Sequence, residues 1–453
     1  MDLCGKNSCA NFSGVSIDTR TIKPGNLFVA LVGANSNGHK FIDTAIAKGA
    51  AAVLSNKNES QQAHAKCPLF YVSDTTKALG QLAGYWRNQF HLPIIAVTGS
   101  NGKTTVKNMI GSILQKECGD AESVLVSHGN FNNHIGVPLN LFQLNSKHRY
   151  AVIEMGMNHL GEIAYLTQMA KPSVAVITNA SAAHLEGLGS LDNVAKAKGE
   201  ILSQFVESGA NCCHSAILNA DDSYYDYWRN LAKNQDVMSI SLESGSDVFA
   251  TELQLAQDNS QFVLHTPIGE TKVTLPLSGK HNVMNALAAT AACLPLNISL
   301  SSIKAGLESI QATDKRLEIK KIRSGIYLLN DCYNANPASL YAAIDVLMTY
   351  PGKKVLILGD MKELGEQEAQ LHFEAGEYAK KARVDCLLAM GDLTKETVKA
   401  FGGGAQHFDI KEDLLDFLQT LLAKDVSILV KGSRSMKMEE VVEGITHQLP
   451  NLG

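Results

Sequence analysis

The segment Ile94 to Thr105, IIAVTGSNGKTT, constrains the fold of this chain more than any other. Its apolar run, Ile94 to Val97, is too short for a helix and reads as a strand buried on both faces. A turn containing Gly99 and Gly102 follows, and Lys103, Thr104 and Thr105 then open a stretch in which Met109, Ile110, Ile113 and Leu114 recur at helical spacing. A buried strand feeding a helix through a Gly-rich turn belongs to a layered α/β fold with a mostly parallel sheet. Backbone N–H groups of such a turn converge with the helix N-terminus on one spot, which suits anionic oxygens. Lys103 adds a cation there, and Thr104 places a hydroxyl where Mg²⁺ can be held. The general phosphate-loop pattern has glycine where Val97 stands, so this loop is a shortened one beginning at Gly99. Gly99, Ser100, Asn101, Gly102, Lys103, Thr104 and Thr105 are the expected phosphate-binding residues, and ATP is the expected ligand.

The same punctuation recurs. Ala151 to Ile153 runs into Glu154, Val174 to Ile177 into Thr178 and Asn179, and Ile326 to Leu329 into Asn330 and Asp331. Val355 to Leu358 precedes Gly359 and Asp360, Cys386 to Met390 precedes Gly391 and Asp392, and Ile428 to Val430 precedes Lys431 and Gly432. Ligands of open α/β sheets sit at the carboxyl ends of the strands, so these polar residues are where chemistry is expected to collect. Val248 to Pro276 alternates Thr, Val, Leu and Phe without helical period and predicts inserted antiparallel strands. Asn26 to Val32 predicts a strand-like unit between two turns.

A length of 453 residues implies two or three cores. Boundaries near Lys77 and Thr313 give an N-terminal domain over 1–77, a central domain over 78–312 and a C-terminal domain over 313–453. With 45% hydrophobic and 19% charged residues the composition is that of an ordinary globular protein. A net charge of −5 offers no overall basic balance for nucleic acid or an anionic membrane, so anions must be bound locally. The most apolar stretch, Ala286 to Leu296, is too short to span a bilayer, and Met1 to Ala10 has no signal-peptide core. A cytoplasmic protein is expected, without partners of either class. Nine cysteines, an odd number with no C-x-x-C pair, read as free thiols.

TGSNGKTT resembles the ATP-binding loop of the Mur ligases, which extend the peptide of the bacterial cell-wall precursor. GNFNNHIGVPLN from Gly129, EMGMNHLGEI from Glu154, NASAAHLEGLGS from Asn179, AKAKGEI from Ala195 and GKHNVMNALAA from Gly279 match in order. NDCYNANPAS from Asn330, GDMKELG from Gly359 and VKGSRSM from Val430 continue the match nearly to the end of the chain. The last three are similar to the branch that joins D-alanyl-D-alanine to UDP-muramoyl tripeptide. The resemblance implies three α/β domains: a small N-terminal one, a central phosphate-loop sheet with inserted antiparallel strands, and a Rossmann-like C-terminal one. It implies amide formation through an acyl phosphate by a monomer. Nearby alternatives are another amide ligase of the superfamily, adding diaminopimelate or glutamate, or a non-ligating ATPase switch. No Asn-Pro-Arg triplet of the diaminopimelate-adding branch occurs in the chain.

Taken alone, Glu154 is either a solvated strand-end acid or a metal ligand, and His184, Lys198 and Arg20 read as surface residues. The resemblance reassigns them. Thr104 and Glu154 become ligands of one Mg²⁺, and His184 and a carbamylated Lys198 ligands of a second. Carbamylation needs an unprotonated amine, so Lys198 should be enclosed and near cations. His281, Asn282 and Asn285, which as bare sequence read as a helix cap and packed face, become nucleotide contacts. Arg316 and Asp331 are placed by the γ-phosphate and ribose, which makes Lys103, His184, Lys198 and Arg316 the catalytic set. Thr19 and Arg20 are implied at the uridine diphosphate, Asn132 and Asn133 at the muramoyl group, and Lys431 and Arg434 at the dipeptide carboxylate.

Overall fold

The computed structural model describes residues 2–5, 8–33, 36–56, 67–202, 215–311, 315–323, 325–422 and 425–448. Three sheets carry it. The largest has nine strands, and the strand Ile94–Thr98, every residue of it buried, lies inside it between Tyr150–Glu154 and Val174–Ile177. Chain order reverses at that point, so a crevice opens beyond the strand ends where Thr98, Glu154 and Thr178 emerge. Beyond Val174–Ile177 the sheet continues through Ser215–Asn219, Asp236–Ser241 and Val248–Leu255, all parallel, before Ser260–Thr266 and Gly269–Leu275 close it antiparallel. The Val248 to Pro276 stretch therefore extends the central sheet, and its first strand joins in parallel.

Both faces of this sheet are packed, which is why its strands read as continuous apolar runs. On one face Ile95 and Val97 meet Val106, Met109, Ile110 and Ile113 of the helix Lys103–Cys118, with Ala286 and Leu287 of Lys280–Cys293. On the other, Ile94 and Ala96 meet Ile163, Leu166, Val194 and Trp228. Each fully buried large side chain contributes about 1.5–3 kcal/mol. The phosphate-loop helix is thus held from below by the sheet and from the side by the helix carrying His281, Asn282 and Asn285.

A second sheet has six strands, in the order Glu318–Arg323, Ile326–Asp331, Val426–Lys431, Lys353–Gly359, Cys386–Met390 and Ala405–Phe408, with only the first antiparallel. Four parallel strands, Gly14–Ser16, Asn26–Val29, Ala52–Asn56 and Leu69–Val72, make the N-terminal sheet. The expected Asn26 to Val32 unit divides: Asn26–Val29 enters this sheet, whereas Val32–Gly33 pairs with Ser36–Asn37 in a small hairpin. Lys77 lies inside the helix Thr75–Arg87, whose Leu79 packs in the N-terminal core and whose Ala83 packs in the central one. Arg87, buried, donates to the Ala170 carbonyl at 2.8 Å and locks this helix to the central domain. Thr313 falls outside the described residues, as do Cys212 and Cys213 and the side chains of Cys4 and Cys9. The other five cysteines are free thiols. No helix among the described residues is long and apolar enough to cross a membrane.

Candidate active site

A cavity of about 700 Å³ opens where the carboxyl ends of the central and C-terminal sheets face each other. Its floor is the phosphate loop. Gly99 has φ 151° and Gly102 φ 82°, and a Cβ on them would stand 1.8 Å from Thr178 Oγ1 and 2.3 Å from Asn285 Oδ1. Glycine at both positions is required by backbone conformation and by space. The loop is stitched to the segment after the neighbouring strand: Ser100 N donates to Asn179 O at 3.0 Å, Asn101 N to Asn179 Oδ1 at 3.0 Å, and Thr178 Oγ1 to Asn101 O at 2.6 Å. Lys103 Nζ donates to the Gly99 carbonyl at 2.6 Å. Burial lowers its ammonium below the ordinary lysine value and Arg316 adds to that, against the pull of Glu154.

Glu154 ends its strand fully buried and aimed at the loop. Thr104 Oγ1 donates to its Oε2 at 2.9 Å and Asn132 Nδ2 to its Oε1 at 2.8 Å, while Lys107 Nζ lies 3.3 Å from Oε2. Burial would raise this carboxyl, but Lys107, Lys103 and the two hydrogen bonds outweigh it and hold it below the usual carboxylate range. A hydroxyl and a carboxylate side by side, at the cavity floored by the glycine-rich loop, are the donors Mg²⁺ prefers. Among the described residues no three His, Cys, Asp or Glu side chains cluster as a metal cage, so an ion here would draw its remaining ligands from phosphate oxygens and water.

Arg316 reaches the cavity from the C-terminal domain, with its guanidinium 3.9 Å from the centre of the Tyr333 ring. The residues on either side of it, Lys315 and Leu317, both have positive φ, at 58° and 54°. Left-handed backbone at two non-glycine residues is costly and persists only when the surroundings enforce it. Here Tyr333 N donates to the Lys315 carbonyl at 3.1 Å and Leu317 N to Asp331 Oδ1 at 3.0 Å.

Three family models match in order along the chain: "Mur ligase family, catalytic domain" over residues 11–87, "Mur ligase middle domain" over 97–293 and "Mur ligase, glutamate ligase domain" over 315–434. The chain belongs to the Mur ligase family. The UDP-N-acetylmuramoyl-tripeptide--D-alanyl-D-alanine ligases of Escherichia coli and Haemophilus influenzae are 43% and 41% identical to it. These alignments cover 95% and 96% of this chain and 93% and 94% of those proteins. The crystal structure of MurF from Acinetobacter baumannii superposes with a TM-score of 0.89 at 36% identity, over 97% of this chain and 94% of that one. MurF from Thermotoga maritima, solved with ADP, shares the fold with a TM-score of 0.83 at 23% identity, covering 97% of this chain and 98% of that one.

Of the residues that the Mur ligase resemblance singles out, the loop from Ser100 to Thr105, Asn132, Asn133, Glu154, His184, His281, Asn282, Asn285, Arg316, Asp331 and Lys431 line this one cavity. Gly99 is not among the lining residues. Lys198 does not line it; the side chain is buried beside Lys103 and Asp222, whereas Lys196 on the same helix is exposed. Burial first, and then Lys103, push its amine well below the ordinary lysine value, opposed by Asp222. The shift runs in the direction that carbamylation, which needs an unprotonated amine, asks for. Trp228, itself fully buried, donates from Nε1 to the Ala195 carbonyl at 2.9 Å and fixes the helix that carries Lys198. His184, with φ 58°, brings Nδ1 to 2.8 Å from Oε2 of Glu363, although the approach is too poorly directed for a hydrogen bond.

Other residues are engaged differently from expectation. The Lys280–Cys293 helix begins at Gly279 without a side-chain cap, and Asn282 instead donates to the Ser278 carbonyl at 2.8 Å. The ammonium of buried Lys431 is paired with Asp331 Oδ2 and donates to Asn334 O at 3.0 Å. Arg434 lies outside the cavity, exposed and bonded to Glu439 Oε1 at 2.5 Å, because the turn after Lys431 carries it away. Thr19 and Arg20 also lie outside it, in the N-terminal domain, where exposed Arg20 forks onto Asp18. Asn133 Oδ1 accepts from Ile135 N and Gly136 N, which shapes its loop.

Several residues at the site escaped sequence reasoning. Lys107 is one helical turn beyond Lys103 and so on the same face, a spacing that could have exposed it. Asn336 stands before Pro337, the pattern of an N-cap; it caps the helix Pro337–Leu347 and also donates from Nδ2 to Asn101 Oδ1 at 2.8 Å. Asp222, which accepts from Ala180 N at 2.8 Å, had no local signal.

Proposed function

We propose that this chain joins D-alanyl-D-alanine to UDP-N-acetylmuramoyl-tripeptide at the expense of ATP, in the synthesis of the peptidoglycan precursor. The observation that carries this is the pair of UDP-N-acetylmuramoyl-tripeptide--D-alanyl-D-alanine ligases more than 40% identical over nearly the whole chain, combined with a phosphate loop facing Arg316 across one cavity. The tripeptide carboxylate attacks the γ-phosphorus and ADP leaves; the amine of the dipeptide then attacks the acyl carbon of the resulting acyl phosphate, gives up a proton and expels inorganic phosphate as the amide forms. No enzyme nucleophile is needed. The chain's task is to hold two anions in line and balance the charge that moves between them.

Residues have the following roles in this reading. Loop N–H groups and Lys103 hold the β- and γ-phosphates, and Arg316 meets the transferring group from the opposite wall. Thr104 and Glu154 would hold one Mg²⁺, and His184 with Lys198, once carbamylated, would hold a second. Bound Mg²⁺ would supply charge neutralisation at the phosphoryl oxygens. His281, Asn282, Asn285 and Asp331 border the nucleoside. Asn132 and Asn133 border the muramoyl group, and Thr19 and Arg20 border the uridine diphosphate. Lys431 and Arg434 serve the dipeptide; the paired state of both makes this the role that asks for most rearrangement. Residues 1–77 dock the uridine nucleotide, 78–312 bind ATP and 313–453 bind the dipeptide and close the site, all in one monomeric chain working in the cytoplasm, where ATP and the nucleotide-linked precursor meet.

The test is purified protein with Mg-ATP, UDP-muramoyl tripeptides ending in diaminopimelate or lysine, and a panel of amines, followed by phosphate release and product mass. The expected product gains two alanine residues. Phosphate release indifferent to D-alanyl-D-alanine, or a gain of one amino acid, overturns the assignment.

A further inference from the structure

Lys107 is unused by the mechanism above, yet it is among the most completely buried large side chains of the protein. An ammonium is rarely enclosed without a specific partner, and its partners are informative. Its Nζ stands 3.3 Å from Glu154 Oε2 and donates to the Gly129 carbonyl at 3.2 Å, in the loop that also presents Asn132. Lys107 therefore ties together the phosphate-loop helix, the strand-end carboxylate and the loop beside it. The second carboxylate oxygen is taken by Asn132 and the first also by Thr104. Lys103 adds a further cation on the cavity side of the same group.

The carboxylate that offers itself to a divalent ion is thus already neutralised by a fixed cation that cannot move away, because the side chain is enclosed on the helix. A bare dication approaching Glu154 meets repulsion from Lys107 and Lys103 comparable to the attraction of the carboxylate. Phosphate oxygens on the loop would reverse the local sign. From this geometry we infer that Lys107 is a positioning residue and resident counter-ion that makes metal binding at Thr104 and Glu154 conditional on the nucleotide, so that the ion enters with ATP and is not held in advance. The inference rests on the reading of Thr104 and Glu154 as ligands of Mg²⁺.

Mn²⁺ is the probe, titrated against the full-length protein and followed by the spin-resonance signal of the free ion. Without nucleotide, the native protein and Lys107→Arg, which keeps the charge, are expected to bind Mn²⁺ weakly. Lys107→Gln and Lys107→Met are expected to bind it at least tenfold more tightly, and the gain should vanish in Lys107→Gln combined with Glu154→Gln. Folded Lys107→Gln and Lys107→Met proteins with native Mn²⁺ affinity overturn the inference, as does Lys107→Arg behaving like Lys107→Gln. Should the charge-removing variants fail to fold, the native protein decides. Nucleotide-free binding as tight as in the ADP complex, at a site lost in Glu154→Gln, overturns the inference; binding at that site only with ADP supports it. ADP-dependent Mn²⁺ binding that survives intact in Glu154→Gln defeats the underlying metal reading, and this proposal falls with it.

Discussion

Lys103 is held where burial and nearby Arg316 disfavour its charge, opposed by Glu154 and by the Gly99 and Ser100 carbonyls that accept from its ammonium. Sites that store such strain exchange stability for function. Lys103→Met is therefore expected to leave the melting temperature unchanged or raised, while kcat for phosphate release falls by about 10²–10³-fold, the usual scale for deleting one group that stabilises developing charge. A parallel loss of stability and activity would mean that the lysine is structural. For Lys198, activity assayed in buffer stripped of carbon dioxide is expected to fall and to return when bicarbonate is added. Lys198→Arg, a cation that cannot be carbamylated, should be inactive and indifferent to bicarbonate. Native activity that ignores bicarbonate sinks carbamylation as a requirement. Lys103 was legible in the sequence because its partners are contiguous with it. Lys198 looked like one of two lysines on a solvated helix, and in the fold its complete burial sets it apart from exposed Lys196.

Elements were legible where one element buries one kind of surface. The strands at Ile94, Val174, Cys386 and Val426 are buried throughout, and continuous apolar runs announced them. Val124–Val126, Ser215–Asn219 and Asp236–Ser241 were not anticipated, because they are short or carry polar residues at buried positions, as Ser215 and Ser241 do. GDMKELG shows how a loop becomes rigid without any pattern of its own. His372, wholly buried on the helix Glu368–Lys381, accepts from Met361 N at its Nε2 at 2.9 Å and contacts the Glu368 carbonyl through Nδ1 at 2.7 Å. That arrangement requires the neutral ring, with its proton on Nδ1. Burial lowers the ring below its ordinary value of 6.5, outweighing Asp360 and the Glu368 carbonyl. Below that value the unfolded chain takes up a proton that the folded one refuses, so the stabilising contribution is complete above 6.5 and declines as the pH drops beneath it. Urea midpoints at about pH 7.5 and about pH 5.5 should show a fall for the native protein and a smaller one for His372→Asn. Equal falls would show that the ring titrates normally in the fold.

Across the whole molecule, the two large sheets are brought into one site by Leu371, which packs against a core of each domain, and by polar contacts between the central and C-terminal domains. Asn336 is the most telling, since one side chain serves both levels of organisation. Its Oδ1 accepts from Ser339 N and caps a helix of the C-terminal domain, while its Nδ2 donates to Asn101 in the phosphate loop at 2.8 Å. His184 and Glu363 approach one another across the same divide, and Glu186 N donates to the Glu363 carbonyl at 3.2 Å. No reading of one stretch of sequence could have joined Asn101 to Asn336, because each is a sensible local residue, one in a turn and one before a proline. A substitution that keeps the local role and removes the distant one isolates the coupling. Asn336→Ser retains a good cap but is too short to reach Asn101, so thermal stability should change little. Losing the two hydrogen bonds between these side chains, at 2.8 and 3.3 Å and each worth about 1 kcal/mol, should raise KM for ATP by roughly 5- to 30-fold. The same variant should show a larger radius of gyration by X-ray scattering without nucleotide and regain the native value when ATP and the uridine nucleotide are both bound. If KM and the radius both stay at their native values, the pair is incidental and the other contacts across the divide hold the domains together.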